Sequence, residues 1–226
     1  MKPPLAALAE PATVRLIPTA YYKPPVLRAL VDDAAELALL AEIESLTNRR
    51  LRAERAGLAD LDARELIFKA WGQTAINAAF AYTRPEGNRF NGPDRGAWYC
   101  AFEELTAIAE VAYHRTRELI RINHFHDEAI YQALLAGFIG DFHDLRQLDG
   151  PVACLGPDPR KAYPAGLKLA TTLRAQGSIG VVYPSARRSG GTCLAAFDPH
   201  VVQNVRPAAR WKLVWSGTPN YTVTTA

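Results

Sequence analysis

Apolar positions recur with different periods along this chain, and each period predicts a different kind of element. Thr13 to Ile17 alternates and is β-branched, which predicts an opening strand stopped by Pro18 and by Pro24-Pro25. From Val26 to about Leu58 the spacing becomes helical, through Leu27, Leu30, Val31, Ala34, Leu37, Ala38 and Ala41, and a second helical stretch runs from Ala63 to Ala81. Together these predict a helical insertion or lid over residues 26–84. Glycines and prolines punctuate a loop from Tyr82 to Asn91, and Ala97 to Ala101 follows as a short buried strand. Glu103 to Asn123 is the strongest helix: Leu105, Ile108, Ala109, Ala112 and Leu119 form its apolar stripe, while Thr106, Glu110, Tyr113, His114 and Arg117 share a neighbouring polar face. A further helical patch is predicted over Asp127 to Phe138.

The last third changes character. Strands are predicted near Val152–Gly156, Ile179–Tyr183, Cys193–Phe197, Val201–Val205 and Trp211–Trp215, with a helix from Tyr163 to Gln176 ending at Gly177. Clustered helices followed by antiparallel strands predict an α+β fold, and the length of 226 residues is compatible with one domain over 1–226.

Composition changes this picture little. Hydrophobic residues at 49% and charged residues at 22% fit a folded globular chain, and a net charge of +3 is too small to demand nucleic acid. Cys100, Cys154 and Cys193 are odd in number and lack metal-ligand spacing, so buried thiols and a reducing, cytoplasmic setting are expected. No secretory leader and no apolar run of membrane-spanning length is evident. His124 and His126, at i and i+2, face away from each other with no third ligand, so no metal is expected. The basic run Arg206 to Lys212 reads as the guarded face of an edge strand rather than a nucleic-acid site. Rossmann and Walker glycine loops are absent from the sequence.

Three polar clusters sit beside Gly or Pro, where clefts are easily built: Asn88-Arg89-Phe90-Asn91-Gly92, Tyr99 with Glu110, and Tyr183-Pro184-Ser185-Ala186-Arg187. Singly, each has a bland explanation. In this order, with Thr-Ala-Ile-Ala-Glu110-Val on a helix and Gly180-Val-Val-Tyr-Pro-Ser185-Ala-Arg after it, they resemble the RES domain family, named for its Arg, Glu and Ser. On that resemblance Arg89, Glu110 and Ser185 are the name-giving residues, Tyr99 is the active-site tyrosine, and Arg15 matches the arginine of the opening strand, with Val14 where the family often has Tyr. The resemblance implies a fold similar to ADP-ribosyltransferases, depletion of NAD+, and the toxin half of a two-gene module whose partner is an Xre-like antitoxin. Neither a membrane nor direct nucleic-acid contact by the toxin is implied, and a homodimer is left open.

The residue types suit that chemistry. Nicotinamide leaves NAD+ as a neutral molecule, so departure creates an oxocarbenium-like ribose, which a carboxylate such as Glu110 stabilises. Tyr99 could stack on the nicotinamide ring, Arg15 and Arg89 could fork onto pyrophosphate or ribose oxygens, and Ser185 could hydrogen-bond ribose or the nicotinamide amide. Catalytic work is therefore assigned to Glu110, Arg89, Tyr99 and Ser185, and substrate binding to Arg15, Arg89, Tyr99 and Ser185. NAD+ is substrate rather than cofactor, and water or inorganic phosphate is the acceptor. Transfer of ADP-ribose to a protein side chain, or a non-enzymatic binding module, are the alternatives.

Overall fold

The computed structural model describes residues 2–21 and 47–226. Seven strands and four α-helices are present among them: β1 (Leu5–Pro18), α1 (Arg49–Ala56), α2 (Gln73–Ala81), β2 (Trp98–Ala101), α3 (Glu104–Ile122), β3 (His126–Asp144), α4 (Pro159–Ala175), β4 (Gly180–Pro184), β5 (Thr192–Ala196), β6 (Gln203–Ser216) and β7 (Tyr221–Thr225). The α+β expectation holds. The strands form one sheet in the order β1-β2-β5-β4-β3-β6-β7, and β1 also pairs with β3, so the first five strands close into a ring. Every pairing is antiparallel except β3 with β4. A single residue pair, Val14 with Ala101, joins β1 to β2.

The predicted helix over Asp127–Phe138 is instead part of β3. Flanked by β1 and β6, this strand is covered on both faces: Ala133, Ala136 and Phe138 are wholly buried and Leu134 nearly so. A strand buried on both sides loses its period of two and reads as an unbroken apolar run, which a buried helix mimics. The predicted strand at Val152–Gly156 is also corrected: Ala153–Leu155 is a single 3-10 turn. The two predicted strands Val201–Val205 and Trp211–Trp215 become a short 3-10 turn, Pro199–Val201, and the continuous β6. Because β7 covers only the Trp211–Trp215 half of β6, the Arg206–Ala209 part lies at the sheet edge as the edge-guard reading expects, whereas Arg210 donates to Gln132 and Lys212 pairs with Glu128.

Much of the predicted helix from Val26 to Leu58, and hence of the insertion over 26–84, lies outside the described residues. Within the described part, Ala63–Ala81 yields only a 3-10 turn, Ala63–Glu65, and then α2. Two hydrophobic cores lie on opposite faces of the sheet. One joins α3 and α4, through Ala107, Ile108, Ala112, Leu119, Ala170 and Leu173, to Val181, Tyr183, Cys193 and Ala195. The other joins α1 and α2, through Ala53, Ile76 and Phe80, to Trp98, Val182, Leu194, Phe138 and Phe142. Full burial of each large side chain contributes about 1.5–3 kcal/mol.

The helix α3 spans its predicted range, but its buried stripe is shifted: Leu105, expected in the stripe, is exposed, and Thr106, expected on the polar face, is wholly buried. It ends at Asn123, held in the left-handed region at φ 50°. The Asn123 and His124 amides close back on the carbonyls of Ile120 and Leu119. Two tryptophans of β6 fasten its outer side: Trp211 Nε1 donates to Glu104 at 2.6 Å and Trp215 Nε1 to Thr116 at 3.0 Å. No described helix is long and apolar enough to cross a membrane.

Candidate active site

The site grows from a tight loop. The Asn88 amide donates to the Asn91 carbonyl at 2.9 Å, closing a turn that Gly87 enters at φ 68°; a Cβ there would lie 2.3 Å from the same carbonyl. Tyr99, on β2, holds this loop by its hydroxyl, which donates to Asn91 Oδ1 at 2.8 Å and accepts from the Phe90 amide at 2.9 Å. Burial pushes the Tyr99 phenol well up, so it stays protonated and able to donate. Phe90 in turn packs edge-on against Tyr183 of β4, with ring centroids 4.9 Å apart.

Between these anchors Arg89 is buried, 7% exposed, and its guanidinium donates to the carbonyls of Cys154 and Gly156 in the 3-10 turn before α4. Tyr163 of α4 lies under the same guanidinium at 5.7 Å. The helix approaches so closely because residue 166 is glycine: a Cβ would sit 1.9 Å from the Arg89 carbonyl oxygen.

Glu110, in the second turn of α3, faces the end of β4. Ser185 Oγ donates to Glu110 Oε1 at 2.6 Å, and the same Oγ accepts from the Arg187 and Arg188 amides at 3.0 and 3.1 Å. With the Ser185 amide bonded to the Gly191 carbonyl, the loop 185–191 is folded around this hydroxyl. Ser185 therefore spends its proton on the carboxylate and its lone pairs on its own loop. Among the described residues Glu110 Oε2 carries no hydrogen bond, so a half-buried carboxylate is fixed by one oxygen and free at the other.

The sheet brings Arg89, Tyr99, Glu110 and Ser185 to the face carrying α3 and α4, but it does not bring Arg15 there. Val14 and Leu16 point into that face, so Arg15 between them points to the opposite one, stacking on Trp98 at 4.9 Å and donating to the Tyr99 carbonyl at 3.0 Å. Burial there pulls its guanidinium down to about 10.

Several residues near Glu110 were left without an assigned role by the sequence. Arg187 stacks on Tyr113 with its guanidinium carbon 3.4 Å from the ring centre, Arg117 lies over the same ring at 5.7 Å, and Arg187 Nη1 donates to the Pro157 carbonyl. His114 abuts Tyr113 edge-on, and its Nδ1 is buried without a partner, as is Arg187 Nε. Burial first, then the positive charges of Arg84, Arg117, Arg187 and Arg89, hold the imidazole down to about 3, so it is neutral at physiological pH. Among the described residues the structure leaves this one nitrogen of His114 without a partner. Its helical spacing from Glu110 and Tyr113 was the available signal.

Elsewhere, His124 Nε2 bonds the His126 carbonyl, and among the described residues no three His, Cys, Asp or Glu gather as metal ligands. The three cysteines are buried free thiols, and Cys193 Sγ lies 3.9 Å from Glu110 Oε1 with burial pushing its thiol well up. No curated protein matches the chain. The family model described as "RES domain" matches residues 64–216, a stretch that holds Arg89, Tyr99, Glu110 and Ser185 and leaves Arg15 outside. With two thirds of its length matched and the Arg, Tyr, Glu and Ser gathered on one face of the sheet, the chain belongs to the RES domain family.

Proposed function

We propose that this protein cleaves the nicotinamide–ribose bond of NAD+, with Glu110 as the reacting-centre carboxylate. The observation that carries this reading is the 2.6 Å bond from Ser185 to Glu110, which joins residues 75 positions apart and leaves one carboxylate oxygen free. Nicotinamide departs with the electron pair of the C–N bond and becomes neutral, leaving positive charge on the ribose. A fixed carboxylate stabilises that charge more than the ground state, which is where catalysis is gained. Water then attacks the same carbon and Glu110 takes its proton, giving ADP-ribose; with inorganic phosphate as acceptor the product is ADP-ribose 1-phosphate. Arg89 and Tyr99 serve this centre by holding the wall beside it, and Ser185 serves it by aiming the carboxylate.

Purified protein incubated with NAD+, with and without phosphate, and resolved by chromatography tests the proposal. Nicotinamide release that falls at least about a hundredfold in Glu110→Gln is expected. Intact NAD+ under both conditions, from folded protein, overturns it, and adenine label moving onto protein instead would favour a transferase. A role as the toxin of a toxin–antitoxin pair, with an Xre-like antitoxin as partner, is supported by the family resemblance alone. Growth arrest on induction, relieved in Glu110→Gln, is its test.

A further inference from the structure

The guanidiniums of Arg117 and Arg187 both lie over the Tyr113 ring, which abuts His114, and that of Arg89 lies over Tyr163; none of the three is in an ion pair among the described residues. Arg84, the fourth positive group near His114, is only loosely held by Glu118 at 3.8 Å. Gathering uncompensated positive charge in a half-buried wall costs free energy, because each charge loses water and repels the others. Such clusters are retained where an anion completes them. Arg89 is spent on backbone carbonyls, whereas Arg117 and Arg187 lie against the Tyr113 ring, a surface that fixes guanidiniums in plane without neutralising them. Two buried polar atoms in this wall, Arg187 Nε and His114 Nδ1, lack partners. A buried donor left unmade is a cost that a ligand oxygen removes.

We propose that Arg117, Arg187 and His114, assembled on Tyr113, form a phosphate subsite one turn along α3 from Glu110. Phosphate oxygens accept from the guanidiniums of Arg117 and Arg187; Arg187 Nε and the neutral His114 Nδ1, closed to solvent in this structure, gain their acceptor only as these side chains shift to admit the anion. The position relative to Glu110 rests on the reading of that residue as the reacting carboxylate; the subsite itself does not. Its occupant is a phosphate group, supplied by the pyrophosphate of a dinucleotide or by free phosphate acting as acceptor.

The test is titration calorimetry of the full chain carrying Glu110→Gln, with inorganic phosphate and with ADP as separate probes. The expected result is saturable binding of at least one probe, weakened on the order of tenfold or more by Arg187→Gln and by Arg117→Gln, with Arg187→Lys intermediate. Unfolding curves for each variant separate lost binding from lost structure; His114→Gln, which keeps a donor, is the second variant should an arginine change unfold the chain. Phosphate displacing ADP assigns the subsite to the pyrophosphate, and phosphate binding alongside ADP assigns it to the acceptor; both support the proposal. Absence of binding by either probe, or binding unchanged in folded arginine variants, overturns it. NAD+ cleavage by wild-type protein with unaltered probe binding would sink the subsite and spare the proposed function. Arginine-dependent binding without NAD+ cleavage would do the reverse.

Discussion

At about pH 7.5 the imidazole of His114 is neutral in the folded and the unfolded chain alike, whereas at about pH 5 it is neutral only in the folded one. In the unfolded state it titrates near its ordinary value of 6.5; burial and four arginines hold the folded value down to about 3. Between those two values the unfolded chain binds one more proton, so this residue's contribution to stability is present above 6.5 and is lost as pH falls toward 3. Over the step from about pH 7.5 to about pH 5 the loss attributable to His114 is about 2 kcal/mol. His114→Gln removes the titration while keeping an amide of similar reach. The assay is urea unfolding of both proteins at both pH values, comparing the drop in stability for each. Burial also holds His143 down, and the paired carboxylates of Asp127 and Asp144 titrate too, but they are common to both proteins and cancel. Wild type should lose about 2 kcal/mol more than His114→Gln over this step. Equal losses would show that His114 is not buried among positive charges and would refute the account of this wall.

Ser185→Ala should lower kcat by roughly a hundredfold with KM nearly unchanged, because it frees the carboxylate rather than a substrate contact; Ser185→Thr, which keeps the hydroxyl, should restore much of it, whereas a KM-dominated loss would place Ser185 on the substrate. Tyr99→Phe leaves the Phe90 amide and Asn91 Oδ1 without their shared partner and should cost about 1–3 kcal/mol in denaturant unfolding, a cost near zero refuting the loop's dependence on that hydroxyl. Gly166→Ala drives a methyl into the Arg89 carbonyl and should destabilise by about 2 kcal/mol or more, read as a lowered Tm; an unchanged Tm would mean that α4 does not sit on Arg89.

Short strands and elements buried on one face were legible from the chain. The helix α3 shows its stripe because one face meets the sheet, and β4, β5 and the Trp211–Trp215 half of β6 show alternation or β-rich composition. Over a long run buried on both faces the pattern fails, as in β3, where Ala133 and Leu134 are both inaccessible although they point to opposite faces; β4 and β5, also buried on both faces, are short enough to read as strands. The end strand β7, Tyr221–Thr225, is exposed along its whole length, and its alternation of Tyr221 and Val223 with threonine is too short to stand out in the sequence.

The sequence by itself determined the α+β class and the helix that bears Glu110, because spacing along one helix is a local property, and its resemblance to the RES domain family singled out Arg89, Tyr99, Glu110 and Ser185. Only the tertiary structure decided where each of these side chains lies and what it touches. Side-chain direction across a sheet put Arg15 on the far face although its neighbours point toward the site. A contact over 75 positions brought the Ser185 hydroxyl onto the Glu110 carboxylate. Arg187 and His114 gained significance only when folding packed positive charge around two buried atoms without partners, and no one-dimensional pattern encodes that deficit of partners.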